Sequence, residues 1–406
     1  MNNAGQKIVV AGICRPDGAW LVGGVLATKM PLLTELGAWR FTFGILLSLF
    51  ISAIAHAEPL PLVLTAENVK ASIHKLPSYA QFSYSGLIFF KDKLYASSGF
   101  GLLEFEKGSL IKAYQWNKKD TDVEGPWLDR MNGLLWVWIP GGDAVANFDG
   151  QKWKTMQMPE PQNGLSRGNV LEGFRGIGNT RGFWLEGAWH GWKWNGKHWN
   201  EESNPPVLAE NNSVILRRIL PTDEHLYFIM FRDNELMYSD GELQQKQKGD
   251  AIYYFQDKWN EATNQSHFVF FAEQTVSAGK TGYIRTSRGD IMEVTNDSVL
   301  KLPTLGKCES ITVSPSGSLV ACFHNLGVYE FKNEWKLLFK APYPLSEGEH
   351  WVHLAENNGQ IAVSVSPVPQ LVAEKNSSNY KTVYNSSAAL WIFDGQKVTK
   401  VPFPNN

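Results

Sequence analysis

The stretch Asn147-Phe148-Asp149-Gly150-Gln151-Lys152-Trp153 reads as the end of one short strand, a tight turn and the start of another. Asp-Gly or Asn-Gly between strands is a strong local hairpin signal, because such turns hold their central residues at φ > 0. The pattern recurs at Lys193-Trp194-Asn195-Gly196-Lys197-His198-Trp199, Tyr254-Phe255-Gln256-Asp257-Lys258-Trp259, Glu330-Phe331-Lys332-Asn333-Glu334-Trp335 and Ile392-Phe393-Asp394-Gly395-Gln396-Lys397-Val398. Weaker copies sit at Glu104-Phe105-Glu106-Lys107-Gly108 and Glu293-Val294-Thr295-Asn296-Asp297. A second register precedes each copy: a polar turn, then a strand centred on Tyr95, Trp136, Trp184, Tyr227, Tyr283, Val320 or Ile361. Seven copies of two hairpins predict an all-β chain, a seven-bladed β-propeller of four-stranded antiparallel blades. A pair of β-sandwiches would not repeat one pattern seven times.

Composition agrees. The chain has 406 residues, 43% of them hydrophobic, which excludes a disordered polypeptide. A formal charge of -2 argues against a nucleic-acid partner, which needs a basic face to neutralise phosphates. Three cysteines are too few for a disulfide-stapled scaffold. The 36 glycines and 13% aromatic content suit many short strands joined by tight turns.

The N-terminal region carries an address. Arg40 precedes an apolar run from Phe41 to Ala55, followed by Ala55-His56-Ala57. A basic residue, an apolar core and a small-residue site make a secretory signal peptide, too short to span a bilayer as an anchor. Residues 1–57 are therefore expected to be a leader cleaved after Ala57, with Met30 as an alternative start. Residues 58–82 are expected to form a lead-in, and 83–406 the propeller. The expected product is periplasmic or secreted and monomeric, with no stable membrane span after cleavage.

The segments Leu94-Tyr95-Ala96-Ser97-Ser98-Gly99-Phe100-Gly101-Leu102-Leu103-Glu104-Phe105 and Ala389-Leu390-Trp391-Ile392-Phe393-Asp394-Gly395 resemble two-component-regulator-type propeller repeats. In that family such blades form periplasmic sensor regions of membrane kinases. The resemblance implies a propeller and an envelope location. This sequence shows no kinase portion.

In a propeller, the D–A and B–C connections share one face around the mouth of the axial channel. With strands lettered A to D from axis to rim, two B–C connections are long: Arg232 to Asp250 in blade four and Ser366 to Ala388 in blade seven. Long loops on a rigid scaffold are where function tends to sit. Shorter B–C turns and the starts of strands A place Trp127, Glu172, Glu186, Trp189, His190, His267, Arg288, Asp290, His324 and His350 around that mouth. This mixed ring of charge and aromatic surface suits a polar ligand or a peptide segment.

Catalytic and cofactor motifs give little. His350 and His353 are three apart, so on a strand they face opposite sides and cannot share a metal ion. Gly173-Phe174-Arg175-Gly176-Ile177-Gly178 is glycine-rich but lacks the spacing and following helix of a dinucleotide site. No metal and no cofactor are expected. Cys308 and Cys322 flank the turn Ser314-Pro315-Ser316-Gly317; with residues 313 and 318 paired, Cys308 falls opposite Phe323, and a bulge or three-residue loop would set it across from Cys322, so the pair forms either a cross-strand disulfide or two buried thiols. The expected function is a binding module for a protein or glycan partner in the cell envelope. The alternative is an exported polysaccharide hydrolase or lyase working at the central channel. Catalysis is the less favoured reading, because inward-facing acidic, His or Arg residues at strand starts look sparse.

Overall fold

A computed structural model describes residues 60–73, 83–116, 123–139, 144–159, 175–186, 191–202, 215–231, 235–239, 242–246, 251–255, 258–264, 271–296, 298–340, 350–367, 370–373, 380–383 and 388–402. These belong to one compact unit that begins at Glu58. Antiparallel sheets of four strands succeed one another over 84–115, 124–157, 175–201, 215–261, 272–301, 308–340 and 350–402. The innermost strands stand side by side in chain order, and His350–Asn357 also lies against Tyr84–Phe90. The protein is a β-propeller with four-stranded antiparallel blades.

The two sequence registers map onto fixed places in each sheet. Tyr95, Trp136, Trp184, Tyr227, Tyr283, Val320 and Ile361 all lie on second strands and are buried. Phe105, Phe148, Trp194, Phe255, Val294, Phe331 and Phe393 all lie on third strands. Successive strand residues face opposite sides, so each sheet offers two apolar faces and buries them against its neighbours. Trp136, for example, stacks on Phe183 of the next sheet, with ring centroids 4.8 Å apart and planes 7° from parallel.

Two kinds of turn join the strands. Lys91-Asp92 and Asn358-Gly359 are two-residue links with both residues at positive φ. The Asp149-Gly150 turn differs from the expected form: only Gly150 is left-handed, at φ +99°, within a four-residue loop. There Asp149 Oδ1 accepts N–H bonds from Gln151 (2.7 Å) and Lys152 (2.8 Å). Asn195 and Asp394 repeat this arrangement with their own loops. The side-chain oxygen does the work that a second positive-φ residue would do.

Both long B–C connections contain two-stranded hairpins, Glu235–Ser239 with Glu242–Lys246 and Gln370–Ala373 with Tyr380–Val383. In the lead-in, Leu62–Thr65 adds a fifth strand outside Ser109–Gln115. The helix Ala66–Ile73 follows, with Thr65 Oγ1 accepting the Asn68 N–H at 3.3 Å as a cap.

The cysteines correct an expectation. Val313 pairs with Leu319 rather than Ser318, and a bulge at Glu309 leaves Cys308 opposite Phe323 and Cys322 opposite Ser310. The two thiols therefore face opposite sides of the sheet. Cys308 packs with Tyr283 and Ile311, and Cys322 with Val352 and Val363. Both are buried thiols, and no disulfide joins them.

Candidate functional site

The innermost strands enclose a cavity of about 820 Å³ along the axis. Among the described residues, each of those strands has its second strand on the outer side and no strand on the inner side. Their main-chain edges therefore border the cavity. Close approach is needed where the 124–157 and 175–201 sheets meet. A Cβ at Gly176 would lie 2.6 Å from the Trp127 ring, and one at Gly178 would run into the Leu128 carbonyl oxygen. The glycines at 176 and 178 thus serve packing of an inner strand, not a phosphate.

Several innermost strands share a further feature. The ladders break between Tyr84/Gly86, Glu124/Trp127, Leu216/Arg218, Ala272/Gln274 and Cys308/Ser310, each near the start of an innermost strand. Bulges free main-chain groups from the ladder and re-aim side chains. Glu273 is the residue left out of its ladder. Its carbonyl oxygen accepts one N–H bond from Arg175 Nη1 and another from Arg218 Nε, each at 3.1 Å.

A charged network surrounds this oxygen at the D–A and B–C end. Glu186, at the end of its second strand, lies 3.6 Å from Arg218 and accepts the Ile219 N–H. Both members of this ion pair are buried, so each depends on the other. The Glu273 carboxylate turns to Arg285, 2.6 Å away. On the innermost strand His350–Asn357, burial first and the Arg285 charge second push the His353 imidazole down to about 4. It is neutral at pH 7.

The A–B end is different. Arg130 reaches across the bore from the 124–157 sheet, and its Nη2 donates to the Val313 carbonyl of the 308–340 sheet at 3.2 Å. Glu356 Oε1 accepts the Gly359 N–H at 2.8 Å, while its buried Oε2 has no partner among the described residues. Burial raises the Glu356 carboxyl above its usual range.

Among the residues expected at the mouth, Trp127 and Glu186 line the cavity. Asp290, His324 and Arg288 do not. Asp290 pairs with Lys301 at 2.7 Å, His324 Nδ1 lies 2.8 Å from Glu309, and Arg288 is exposed in its turn. They sit on B–C turns further from the axis. Glu172, Trp189, His190 and His267 lie outside the described residues. His350 begins its innermost strand, and its side chain lies outside the description. Arg130, Arg175, Arg218, Glu273, Arg285 and Glu356 were not anticipated. A signal existed for Arg175 alone: an arginine between glycines at the start of an inner strand. Among the described residues no group of side chains is arranged to hold a metal, and no helix is long and apolar enough to cross a membrane.

No family model and no curated protein matches the sequence. Solved structures do. The β-propeller domain of the Trilobed protease from Pyrococcus furiosus aligns at a TM-score of 0.49 and 9% identity, over 80% of this chain and 99% of that one. The extracellular domain of BT4673 from B. thetaiotaomicron, assigned to a hybrid two component system, aligns at 0.48 and 10%, over 78% of this chain and 40% of that one. PorZ, a surface component of the type-IX secretion system of Porphyromonas gingivalis, aligns at 0.47 and 8%, over 79% and 45%. The chain spans less than half the length of the latter two.

Proposed function

We propose that this chain is an exported, closed seven-bladed propeller that binds a protein or glycan partner of the cell envelope at the mouth of its axial cavity. The observation that carries this reading is the 820 Å³ axial cavity, whose mouth gathers Arg175, Glu186, Arg218 and Glu273 from three sheets. Charged groups fixed by hydrogen bonds from several elements are pre-organised, so a ligand need not order them. Closure as seven blades is supported by the sheet spans and by contact between His350–Asn357 and Tyr84–Phe90, where Ser366 Oγ accepts the Tyr84 N–H at 2.8 Å. Export is supported by Arg40, the apolar run 41–55 and Ala55-His56-Ala57, with the compact unit beginning at Glu58. Glu172, Trp189, His190, His267 and His350 neighbour the mouth residues in the chain and extend the same site.

The test is capture from envelope extract on the purified protein, compared with a variant lacking both inserted hairpins and carrying Arg175→Ala. The wild type should retain a protein or glycan that the variant releases, as identified by mass spectrometry. Retention of nothing by the wild type, or equal retention by both, overturns the reading. N-terminal sequencing of the exported protein should begin at Glu58, and an intact leader would remove the export part.

A further inference from the structure

We infer that the rim groove between the 272–301 and 308–340 sheets is a docking site separate from the axial mouth, and that it takes a protein segment carrying a lysine or arginine between aliphatic side chains. Strand register fixes what faces this groove. Glu293 pairs with Tyr283 on one side and Leu300 on the other, and directly opposed residues share a face of a sheet. Tyr283 packs with residues of the 308–340 sheet, so Glu293 and Leu300 look that way too. On the other wall, Leu337 pairs with Tyr329 and Trp335 with Phe331. Tyr329, Phe331 and Trp335 pack on the same apolar cluster as Tyr283. Leu300 and Leu337 therefore each look toward the other's sheet from its outermost strand. Both are exposed, at 39% and 48%. Leu305 and Leu326 are exposed as well. They stand on the connection joining the two sheets and on a turn tied to it, where the His324 N–H donates to the Lys307 carbonyl at 2.9 Å. Exposed leucines scattered singly are ordinary; several gathered at one groove mark an interaction surface.

Charge names the occupant. Glu293 is half-buried, and no hydrogen bond or ion pair reaches it among the described residues. Burial alone sets its carboxyl above the ordinary range, and no cation pulls it down. The two cations on the strands of its own sheet are taken elsewhere, Arg285 by Glu273 at 2.6 Å and Lys301 by Asp290 at 2.7 Å. Across the groove, Lys336 lies on the opposite face of its sheet, paired with Glu330. Lys340 closes its strand and exerts no pull on Glu293. A carboxylate held partly out of water gains most from a charge-assisted hydrogen bond, which a lysine or arginine supplies. The rings of Tyr283, Tyr329 and Trp335 give the same cation aromatic surface. Leu300 and Leu337 gain when aliphatic side chains cover them. The wall is set in advance: Trp335 Nε1 donates to the Pro303 carbonyl at 2.7 Å, and its ring meets Phe323 edge-on at 4.8 Å. An acidic segment or an anionic membrane would bring like charge to Glu293.

The experiment is selection of a displayed library of randomised heptapeptides on the purified full chain, with counter-selection on the double variant Leu300→Ser, Leu337→Ser. Recovered peptides should carry a lysine or arginine flanked by Leu, Ile or Val. Resynthesised, they should bind Glu293→Gln about tenfold more weakly than wild type, and the double variant at least as weakly. Replacing the basic residue of the peptide by norleucine should cost about tenfold on wild type and little on Glu293→Gln, as coupled partners require. Unfolding temperatures should stay at the wild-type value or above, because the leucines are exposed and Glu293→Gln removes a poorly solvated charge. No consensus, or one bound equally by the double variant, overturns the site. A consensus without a basic residue, or one that Glu293→Gln binds as wild type does, overturns the partner assignment. So does a concentration-dependent dimer in sedimentation that the double variant loses, because the occupant would then be a second copy of this chain. None of these outcomes bears on the axial mouth, whose reading stands or falls by capture from extract.

Discussion

The two ends of the axial cavity both bring glutamate and arginine together, yet satisfy them differently. At the mouth, Glu186 has a guanidinium 3.6 Å away and a main-chain N–H, inside an envelope that buries both. At the A–B end, Glu356 has one N–H on one oxygen, while Arg130 spends its bond on a carbonyl across the bore. The mouth is built to hold charge in place. The far end keeps a carboxylate that is costly to ionise. A charge is stabilised in a low-dielectric wall only when its hydrogen bonds are complete, so losing a charge at the mouth should cost more than losing one at the far end.

The largest expected effect tests the mouth. Glu186→Ala leaves the Arg218 guanidinium buried without its acid, and should cost about 3–5 kcal/mol in chemical denaturation. A loss below 1 kcal/mol would mean that the pair is not a structural tie.

The next concerns pH. His353 is held down to about 4, below the ordinary value near 6.5. Between those values the unfolded chain binds a proton that the folded chain refuses, so stability should fall as pH drops from 6.5 to 4. The amount is about 3 kcal/mol, and His353→Gln should flatten that slope in thermal melts. An unchanged slope would place the acid sensitivity elsewhere.

Gly178→Ala probes the wall between the ends. Its Cβ would meet the Leu128 carbonyl oxygen, and the two inner strands must part to admit it. A loss of about 1–3 kcal/mol is expected. Wild-type stability would show that the strands separate freely.

The smallest effect has the opposite sign. Glu356→Gln keeps an acceptor for the Gly359 N–H and removes the poorly solvated charge. A carboxyl with a raised folded value destabilises the fold when ionised, and that penalty is relieved as pH falls. The variant should therefore be more stable by up to about 1 kcal/mol at pH 7, with the gain vanishing below about pH 4.5. Destabilisation at pH 7 would mean that the carboxylate is better partnered than it looks.

The registers centred on Tyr95 through Ile361 and on Phe105 through Phe393 were legible because each aromatic or branched residue sits at a fixed depth between two sheets. Asp149-Gly150 was legible as a turn but not as its type, since a loop of two and a loop of four residues share the same dipeptide. Glu186 and Trp127 were found at the mouth because turn and strand-start positions follow from the repeat. Arg288, Asp290 and His324 were placed by the same rule and are not among the residues lining the cavity, because position along the chain does not fix what a side chain faces. Arg218 and Glu273 were missed because the bulges that aim them shift the period-two alternation on which any inward or outward assignment depends. Cys308 lies opposite Phe323 as the register predicts, and of the two alternatives for the cysteines the structure shows the buried thiols.

The alternation of strand and turn in the amino-acid sequence was enough to specify the blade, since burial between two sheets demands apolar residues at set intervals. Which charged groups meet on one atom at the axis was decided by tertiary structure. Arg175, Arg218 and Glu273 come from separate sheets, and only the curvature of the ring and the bulges in its inner strands bring them onto one oxygen atom.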